Sequence, residues 1–474
     1  MLFPTFEFFY FFTLVLILNW FLKRWPLIWR LFLLFSSYYF YSVWDNHFLL
    51  ILIIISIFNF FIGLAIEKNI LSGKKFFFTV SIVFNILVLA IFKYYDFFRI
   101  SAETILEKFG LMVTLPLLEI ILPIGLSFYI FRLISYDADV YFGKMKPTFS
   151  LLDFLIYVAF FPQLLAGPIA RADDFLPQLK DGGAKNIDNF HENITLITLG
   201  LFKKLVISSY LVLNLTDDVF AVPGNHSPLI ILLAIFAYAL VIYFDFSGYS
   251  DMAIGFAGLL GFKSPINFNS PYLAKNLIDF WRRWHISFSS WLRDYVYIPL
   301  GGNRKGNSRK YLNLMATMLI AGLWHGAALH FVFWGFLYGI GAVATHFFRD
   351  RKKADFNLKK NNGLIDKFFT WFLTFVFVSF AWIFFRSASI SSAFLLLRSL
   401  FNFKKTTESL RVYVLVFMAL GFLLLFFEKK IIEYFSKFQE KIPFAAWLLF
   451  IIAIIIVVFK LSTETLPPFI YFSF

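Results

Sequence analysis

The amino-acid sequence predicts an all-α polytopic integral membrane protein, and three observations support this fold class. First, the 474 residues are 60% hydrophobic and only 15% charged, whereas soluble domains are about 45–50% apolar and about 25% charged. Second, the mean hydropathy is +0.75. Third, the apolar runs are continuous, whereas the strands of a membrane barrel alternate apolar and polar residues over about ten positions. These properties exclude a disordered chain, a collagen-like fibre, a coiled coil and a water-soluble enzyme with one core.

The length of the chain sets the expected number of membrane crossings. One helix needs roughly 20 residues to cross a hydrocarbon core of about 30 Å, so we expect on the order of eleven to fourteen membrane crossings. A first span starts at Leu2 and ends before Lys23. Further spans are predicted near 27–44, 48–66, 76–92, 117–135, 150–166, 194–214, 228–244, 250–262, 367–386, 388–403, 411–427 and 443–461.

Three segments do not have the composition of a simple membrane span. Residues 93–115 are too polar to cross the membrane, and their pattern predicts an amphipathic helix at the membrane interface. The stretch 263–310 is neither apolar nor a plain linker, and the hydrophobic block 311–347 is too long for one crossing, so we expect a break in its middle. Because no repeat or soluble domain is visible, we predict a single membrane domain over residues 1–474.

The charge and cysteine content restrict the possible partners. The formal net charge of +14 suggests nucleic acid, but lysine and arginine cluster between apolar segments, as the positive-inside rule expects of cytoplasmic loops. We therefore predict contact with membrane lipids and not with nucleic acid. Cysteine is absent, which excludes disulfides, zinc–thiolate sites and a thiol nucleophile.

His325 is the first candidate functional residue, because it lies deep within the block 311–347. It follows Lys310 by fifteen positions, or about 22 Å of helix. Polar groups at this depth are costly and are functional candidates by default. We expect the flanking Gly322 and Gly326 to leave open space beside the imidazole and to break the helix. A buried neutral imidazole suits a general base; the alternative is a histidine that hydrogen-bonds across a helix interface.

A second group of candidates lies between residues 280 and 295. If this segment is helical, its aromatic side chains form one stripe at positions i, i+4, i+7 and i+11: Trp284, Phe288, Trp291 and Tyr295. One interpretation is a helix anchored among lipid headgroups. The other interpretation is a binding site for a nucleotide-bearing cofactor, whose phosphates would contact arginine side chains. The candidate residues of this site are Arg282, Arg283, Arg293 and the neighbouring Trp281. His285 lies in the same segment, as a structural or an assisting histidine.

Four further side chains are predicted to line or support the site: Asp245, Tyr249, Trp324 and Gln163. Asp245 and Tyr249 are one helical turn apart, and an acid this deep should be protonated or paired, for example with a histidine or an arginine. Gln163 lies among prolines and a glycine that end a helix. Irregular backbone at membrane depth is tolerated only where protein or a water-filled cavity covers it, so cavity lining and simple helix termination both remain open.

Some motifs are missing from the sequence. It contains no Gly-x-x-x-x-Gly-Lys-Ser/Thr loop, and so gives no sign of a built-in ATPase. It contains no His-Glu-x-x-His motif, and we predict chemistry without a metal ion. Related halves, which many transporters show, are not visible.

Several motifs in a fixed order carry a family resemblance. They are LPIGLSF (122–128), FPQLLAGPI (161–169), DFSGYSD (245–251), NFNSPY (267–272), FWRRWHIS (280–287), YIPLGGNR (297–304), GLWHG (322–326) and the ending FIYF (469–472). Together they resemble the membrane-bound O-acyltransferase superfamily, specifically its bacterial alginate and peptidoglycan O-acetylase branch. The resemblance covers most of the chain.

The resemblance implies a ring of about eleven to thirteen transmembrane helices around a central tunnel that joins the cytoplasm to the far side. His325 matches the catalytic histidine of the family, and His285 matches its second histidine. The segment 263–347, which contains both, is then the catalytic core segment. The implied donor is cytoplasmic acetyl-coenzyme A, and the implied location is the bacterial inner membrane. The implied acceptor is extracytoplasmic, commonly a periplasmic serine-hydrolase-like acetyltransferase that passes the acetyl group to a polysaccharide.

Three alternatives stand beside this interpretation. The chain could be a transporter or flippase of a lipid-linked saccharide, which accounts for the number of spans and for the polar region at Asp245. It could be a scaffold of a secretion complex, although this leaves the deep His325 without a purpose. It could also be a D-alanyl transferase of teichoic acid, a relative that tends to be shorter and to lack the C-terminal ending seen here.

Overall fold

A computed structural model describes residues 1–69, 72–117, 121–180, 182–183, 186–354, 363–403, 411–462 and 469–470. Within these residues the regular secondary structure is helical, which confirms the predicted all-α fold class. Contacts between residues divide the chain into two compact units. The first comprises Met1–Phe190 and Phe256–Pro265, and the second comprises His191–Gly255 and Ile266–Phe474. A single membrane domain over 1–474 stays a prediction.

Eight helical stretches of the described residues are long and apolar enough to cross a membrane. They are Asn46–Lys68, Gly73–Lys108, Phe190–Ala221, Pro228–Leu259, Leu329–Arg351, Leu364–Arg386, Val412–Gln439 and Phe444–Leu461. This confirms a multi-pass membrane protein. The count is lower than the predicted eleven to thirteen because other apolar segments form shorter helices, such as the 17 residues of Phe6–Leu22 and the 10 residues of Ile390–Ser399. The ring of helices around a tunnel stays a prediction.

The helices before residue 190 are α1 (Phe6–Leu22), α2 (Pro26–Ser42), α3 (Asn46–Lys68), α4 (Ser72–Leu89), α5 (Tyr95–Lys108), α6 (Leu126–Tyr141), α7 (Leu151–Ala159), α8 (Phe161–Leu164) and α9 (Ala172–Lys180). Local sequence explains several of their ends. Thr5 accepts a hydrogen bond from Phe8 N at the start of α1, Ser150 accepts one from Asp153 N at the start of α7, and Pro26 opens α2. The segment predicted as an amphipathic helix is α5, which a π-helical turn joins directly to α4.

The predicted span 117–135 is wrong in its first part. Residues 111–117 and 121–123 are not helical, and α6 begins only at Leu126. Gly125 precedes it in a left-handed conformation with φ of 79°, which glycine adopts at little cost. The carbonyl oxygen of Leu164 would lie 2.7 Å from a Cβ at this position. Gly125 is therefore required both by the turn and by the close approach of the backbone.

The predicted span 150–166 consists of two pieces, because α7 ends at Ala159. The irregular backbone between the pieces is covered by the buried guanidinium of Arg132, which donates to three carbonyl oxygens. Those of Tyr157, Val158 and Gln163 lie 3.2, 3.3 and 2.7 Å away. An unsatisfied carbonyl in a membrane interior costs several kcal/mol. The hydrogen bonds from Arg132 therefore satisfy the carbonyl oxygens around the break between the two helical pieces.

The remaining helices are α10 (Phe190–Leu201), α11 (Ser209–Leu211), α12 (Asp217–Ala221), α13 (Pro228–Leu259), α14 (Leu277–Trp281), α15 (Ile286–Leu292), α16 (Gly306–His325), α17 (Leu329–Ala354), α18 (Leu364–Arg386), α19 (Ile390–Ser399), α20 (Val412–Gln439) and α21 (Phe444–Leu461). π-helical segments at Phe202–Ser208 and Val212–Thr216 join α10 to α11 and α11 to α12.

The two spans predicted near 228–244 and 250–262 form one helix, α13. Gly248, which lies between the two predicted spans, does not break the helix. It allows the backbone of α10 to pack closely against α13. A Cβ on Gly248 would lie 2.7 Å from the carbonyl oxygen of Gly200, and a Cβ on Gly200 would lie 2.5 Å from that of Gly248. The two glycines therefore let the backbones of α10 and α13 touch.

Candidate active site

His325 is the last residue of α16, and its side chain is buried. Gly326 follows with an extended backbone, φ −170° and ψ 156°, and thereby ends the helix. The chain then turns back, and α17 begins at Leu329. The predicted break in the block 311–347 is confirmed, and it lies directly after His325.

Four aromatic side chains enclose the imidazole of His325. The ring centroids of Trp324, Trp334, Phe385 and Phe288 lie 4.8, 5.0, 5.0 and 5.8 Å from its own. Interplanar angles of 69°, 84°, 76° and 65° make each of these contacts an edge-to-face pair, the arrangement that aromatic quadrupoles favour. The predicted supporting residue Trp324 is thus in contact with the histidine, and the histidine sits in an apolar enclosure.

The glycines beside His325 do not leave open space, and that expectation is wrong. A Cβ on Gly322 would lie 2.3 Å from the carbonyl oxygen of Phe331 and 3.2 Å from Gly335. A Cβ on Gly326 would lie 2.2 Å from the ring of Phe331. The glycines instead bring α16 and α17 into backbone contact, which fixes where the imidazole sits.

His285 lies in the turn between α14 and α15 and is fully buried. Its backbone is left-handed, with φ 43° and ψ 55°, which costs a residue with a Cβ about 1–2 kcal/mol. Strain of this kind tends to be kept at functional sites. Burial lowers the pKa of His285 to about 3, because a dry environment disfavours the charged imidazolium. The ring is therefore neutral at physiological pH.

This turn also corrects the predicted aromatic stripe. The segment is not one continuous helix, and Trp284 lies in the turn instead of on α15. Trp284, Phe288 and Trp291 are buried, and the centroid of Trp284 lies 4.9 Å from that of Trp382. Phe288 contacts both histidines, and because these three rings are buried they are not available as headgroup anchors. Tyr295, the fourth ring of the predicted stripe, is half-buried.

Phe288 and Trp324 connect the two histidines. Their rings stack with centroids 4.3 Å apart. The centroid of His285 lies 5.0 Å from that of Phe288 and 6.1 Å from that of Trp324, and His325 contacts the same two rings. The structure thus brings together the two histidines that the sequence analysis singles out.

The three candidate arginines differ in their surroundings. The Nε of Arg283 donates to Asp279 at 2.8 Å, and that of Arg293 donates to Asp294 at 2.7 Å. The hydrogen bond that Arg293 donates to Asp294 raises the pKa of Arg293. Arg282 is exposed, and no carboxylate lies within ion-pair distance of it in the part of the chain that the structure describes. Arg282 is thus the candidate whose charge is most available to a phosphate.

Trp281 belongs to the same aromatic cluster as the site. Its ring centroid lies 5.0 Å from that of Tyr338 and 5.9 Å from that of Trp334. Because Trp334 in turn contacts His325, a row of rings leads from the end of α14, where Arg282 follows, to the buried histidine.

Asp245 lies one turn before Tyr249 on α13, and its carboxylate is paired. The ammonium group of Lys204 donates to one oxygen, and the backbone N–H of Ile470 donates to the other at 2.9 Å. Pairing is thus confirmed, but the partner is a lysine and not the expected histidine or arginine. Tyr249 stacks on Phe469 with centroids 4.8 Å apart. The rest of the C-terminal motif, residues 471 and 472, lies outside the described residues.

A second buried lysine lies next to the first. Lys203 donates to Asp251 at 2.5 Å and also to Glu428, which accepts a further hydrogen bond from the Tyr243 hydroxyl. The sequence analysis missed Lys203 and Lys204. Two lysines in the middle of the apolar stretch 194–214 are the signal that could have revealed them, because a charge at such a depth needs a partner.

Gln163 lies in the first unit and is fully buried. Its Nε2 donates to Ser264 Oγ at 2.6 Å, and its backbone carbonyl accepts from Arg132. The side-chain oxygen, Oε1, has no hydrogen-bond partner in the part of the chain that the structure describes. A role in lining a tunnel stays a prediction.

Among the described residues, no group of three or more histidine, aspartate or glutamate side chains is arranged to hold a metal ion. Chemistry without a metal ion stays a prediction.

Comparison with known proteins places the chain in a family. The membrane-bound O-acyltransferase family, MBOAT, matches residues 30–390. The chain is 39% identical to the probable alginate O-acetylase of Pseudomonas aeruginosa over 377 residues, which are 79% of this chain and 70% of that protein. It is 36% identical to the peptidoglycan O-acetyltransferase of Helicobacter pylori over 402 residues, with 79% and 74% covered.

A more distant similarity concerns another activity. The teichoic acid D-alanyltransferase of Bacillus subtilis is 29% identical over 246 residues, which are 48% of this chain and 60% of that protein. The family match covers well over half of the chain and includes both histidines of the aromatic site. The chain therefore belongs to the membrane-bound O-acyltransferase family and is an O-acyltransferase that uses an acyl-coenzyme A donor.

Proposed function

We propose that this protein is an O-acetyltransferase of a bacterial inner membrane. It moves an acetyl group from cytoplasmic acetyl-coenzyme A to a hydroxyl on the far side of the membrane, and so serves the O-acetylation of a cell-surface polysaccharide such as peptidoglycan or an alginate-like polymer. The observation that carries the proposal is the pairing of His325 and His285 across Phe288 and Trp324. Relatives named as an alginate O-acetylase and a peptidoglycan O-acetyltransferase support the choice of acyl group and acceptor.

In this proposal His325 is the general base. The acceptor hydroxyl gives its proton to the imidazole, and the electron pair of its oxygen attacks the carbonyl carbon of the thioester. The carbon–sulfur bond then breaks, and the sulfur leaves with the bonding pair and takes the proton from the imidazolium. A positioned base contributes typically 10²–10⁴-fold to the rate, and holding both reactants in line contributes more. Because a thioester is already activated, the reaction needs no ATP.

The aromatic enclosure suits this chemistry. Proton transfer and charge development are strongly affected by nearby dipoles when water is excluded. Edge-to-face contacts hold the imidazole of His325 in one orientation, so that the base itself does not have to turn when the acceptor arrives. Rigid placement of the base is the contribution that we assign to these rings.

The donor is expected to approach from the end of α14. Arg282 is exposed there, and Lys310 lies near the start of α16. Lys310 and His325 are separated by about 22 Å of helix. Arg282 would then contact phosphate groups while the thioester reaches the histidines.

The acceptor is expected on the opposite side. We propose that its hydroxyl belongs to a periplasmic serine-hydrolase-like protein, which passes the acetyl group on to the polysaccharide. The chemistry at His325 is the same whether the hydroxyl belongs to this protein or to a sugar.

The test uses the purified full-length protein in lipid vesicles, with acetyl-coenzyme A labelled in the acetyl group. Wild-type protein should release free coenzyme A and transfer label to an added acceptor. The His325→Ala variant should insert and fold but transfer no label. His226→Ala is the matched control, since His226 is also buried but lies beside Asp218 in the first turn of α12, and it should keep normal turnover.

Two results would contradict the proposal. Normal turnover by folded His325→Ala would remove the assigned base. Movement of a lipid-linked saccharide across the vesicle membrane without release of coenzyme A would favour the transporter alternative.

A further inference from the structure

Asn267 is a buried residue that the sequence analysis does not single out, and it contacts His285 directly. Its Oδ1 lies 3.1 Å from the Nδ1 of His285, 2.9 Å from the Oγ of Ser287 and 3.4 Å from the backbone nitrogen of Ser287. Its Nδ2 donates to the Oγ of Ser250 at 3.1 Å. The side chain of Asn267 therefore links the histidine turn to α13.

The orientation of this amide follows from its neighbours. A backbone N–H can only donate, so the atom of Asn267 that faces the Ser287 nitrogen must be the carbonyl oxygen. An oxygen that accepts from Ser287 cannot donate to His285, and the Nδ1 of His285 must therefore carry a hydrogen. Because the ring is neutral, its second nitrogen, Nε2, then carries the lone pair.

The backbone holds the same arrangement in place. The N–H of Asn269 donates to the carbonyl of Arg283 at 2.9 Å, and the N–H of Ile286 donates to the carbonyl of Asn267 at 2.8 Å. These two bonds lie on either side of the left-handed residue His285. They help to offset a backbone strain of about 1–2 kcal/mol, and they keep the amide of Asn267 opposite Nδ1.

We propose that Asn267 is a positioning residue that fixes the tautomer of His285, with the hydrogen on Nδ1, so that Nε2 is the ring atom that accepts a hydrogen bond or a proton during acyl transfer. This inference rests on the proposed function, in which the thioester reaches both histidines, and it adds a role for His285 beside the base His325. Asn267 acts through His285 and needs no contact with either substrate.

An amide suits this task better than a carboxylate would. Among the described residues, other neighbours of the His285 ring include Phe246, Phe288 and Trp324, at 4.6, 5.0 and 6.1 Å. The helices that carry these rings also carry Asp245 and Asp251, which are paired with lysines, and His325. In this setting a neutral amide orients the imidazole without charging it, whereas a carboxylate would stabilise the imidazolium.

The first readout is the nitrogen-15 spectrum of histidine-labelled protein in lipid vesicles. The signals of His285 are identified by their loss in the His285→Gln variant. The proposal expects the hydrogen of His285 on Nδ1 in the wild type, and it expects Asn267→Leu, which keeps the size of the side chain but removes the acceptor, to give a mixture of tautomers. A wild-type spectrum with the hydrogen on Nε2 would overturn the proposal.

The second readout is the kinetics of acetyl transfer. Asn267→Leu should lower kcat about 10–100-fold, the usual loss when a residue that orients a functional histidine is removed, and should leave the KM for acetyl-coenzyme A unchanged. Asn313→Leu is the matched control, because Asn313 is also buried but donates to the carbonyl of Gly302, and it should leave the His285 spectrum unchanged. An unchanged kcat in folded Asn267→Leu would contradict the proposal.

The conservative variant Asn267→Asp separates positioning from folding. It keeps an acceptor for Nδ1–H, so the tautomer should be retained, and it adds a charge that raises the pKa of His285. Its activity should therefore approach the wild-type value at high pH and fall at low pH, where the wild type shows no such loss. A wild-type pH profile for this variant would count against the assigned contact. If no protein transfers acetyl groups, the proposed function fails, but the spectra still decide the tautomer.

Discussion

Replacement of Gly322 with alanine tests whether the backbone contact between α16 and α17 holds His325 in position. The added Cβ would lie 2.3 Å from the carbonyl oxygen of Phe331, whereas ordinary van der Waals contact begins at 3.4 Å. Because the neighbour is backbone and cannot rotate away, the two helices must separate locally by about 1 Å. Overpacking of this kind costs typically 1–3 kcal/mol, and a displacement of 1 Å can cost about 10²-fold in rate.

We therefore expect Gly322→Ala to lower the rate of acetyl transfer about 100-fold and to lower the free energy of unfolding by about 1–3 kcal/mol. The rate is measured with labelled acetyl-coenzyme A in vesicles, and stability by thermal unfolding in detergent. Gly224→Ala is the matched control, because nothing lies within 4 Å of a Cβ at that position. A Gly322→Ala protein with the rate and stability of the wild type would refute the packing argument, as would equal losses in both variants.

Two further predictions concern charged side chains. Lys204→Met should lower the free energy of unfolding by about 3–5 kcal/mol, because it leaves the buried carboxylate of Asp245 without its ammonium partner. The double variant with Asp245→Asn should recover most of this lost stability in thermal unfolding. A lack of recovery would argue against the ion pair. Arg282→Ala should raise the KM for acetyl-coenzyme A about tenfold, since a charge-assisted hydrogen bond contributes about 1.5–3 kcal/mol. The control variant Arg24→Ala, which changes another exposed arginine, should leave this KM unchanged. Equal KM values in the two variants would contradict the phosphate role of Arg282.

The fold class and the main candidates could be predicted because their signals are local. A polar residue within an apolar stretch is visible in the sequence, which is how His325 and Asp245 were found. The break in the block 311–347 followed from its length and from Gly326, since one helix cannot cross the membrane twice. His285 was identified through its motif, because its position alone did not distinguish a structural from an assisting role.

The remaining features depend on contacts between distant segments. Helical periodicity indicates which residues share a face if a helix continues, but not that it ends at Trp281 and resumes at Ile286. The sequence shows that Asp245 needs a partner, yet nothing local identifies it as Lys204. The role of a glycine is likewise not visible in the sequence, because a glycine can end a helix, as Gly326 does, or allow a neighbouring backbone to approach closely, as Gly248 does.

The enclosure of His325 has a consequence for the catalytic cycle. Only 3% of this residue is exposed. If His325 is the base of the proposed reaction, one of the surrounding rings must therefore move before a thioester and a hydroxyl can both reach the imidazole, and each turnover contains an opening step. Between turnovers the closed rings would keep bulk water away from the base. Side-chain motion at the site itself would then limit the wasteful hydrolysis of the activated acyl group, without a separate lid.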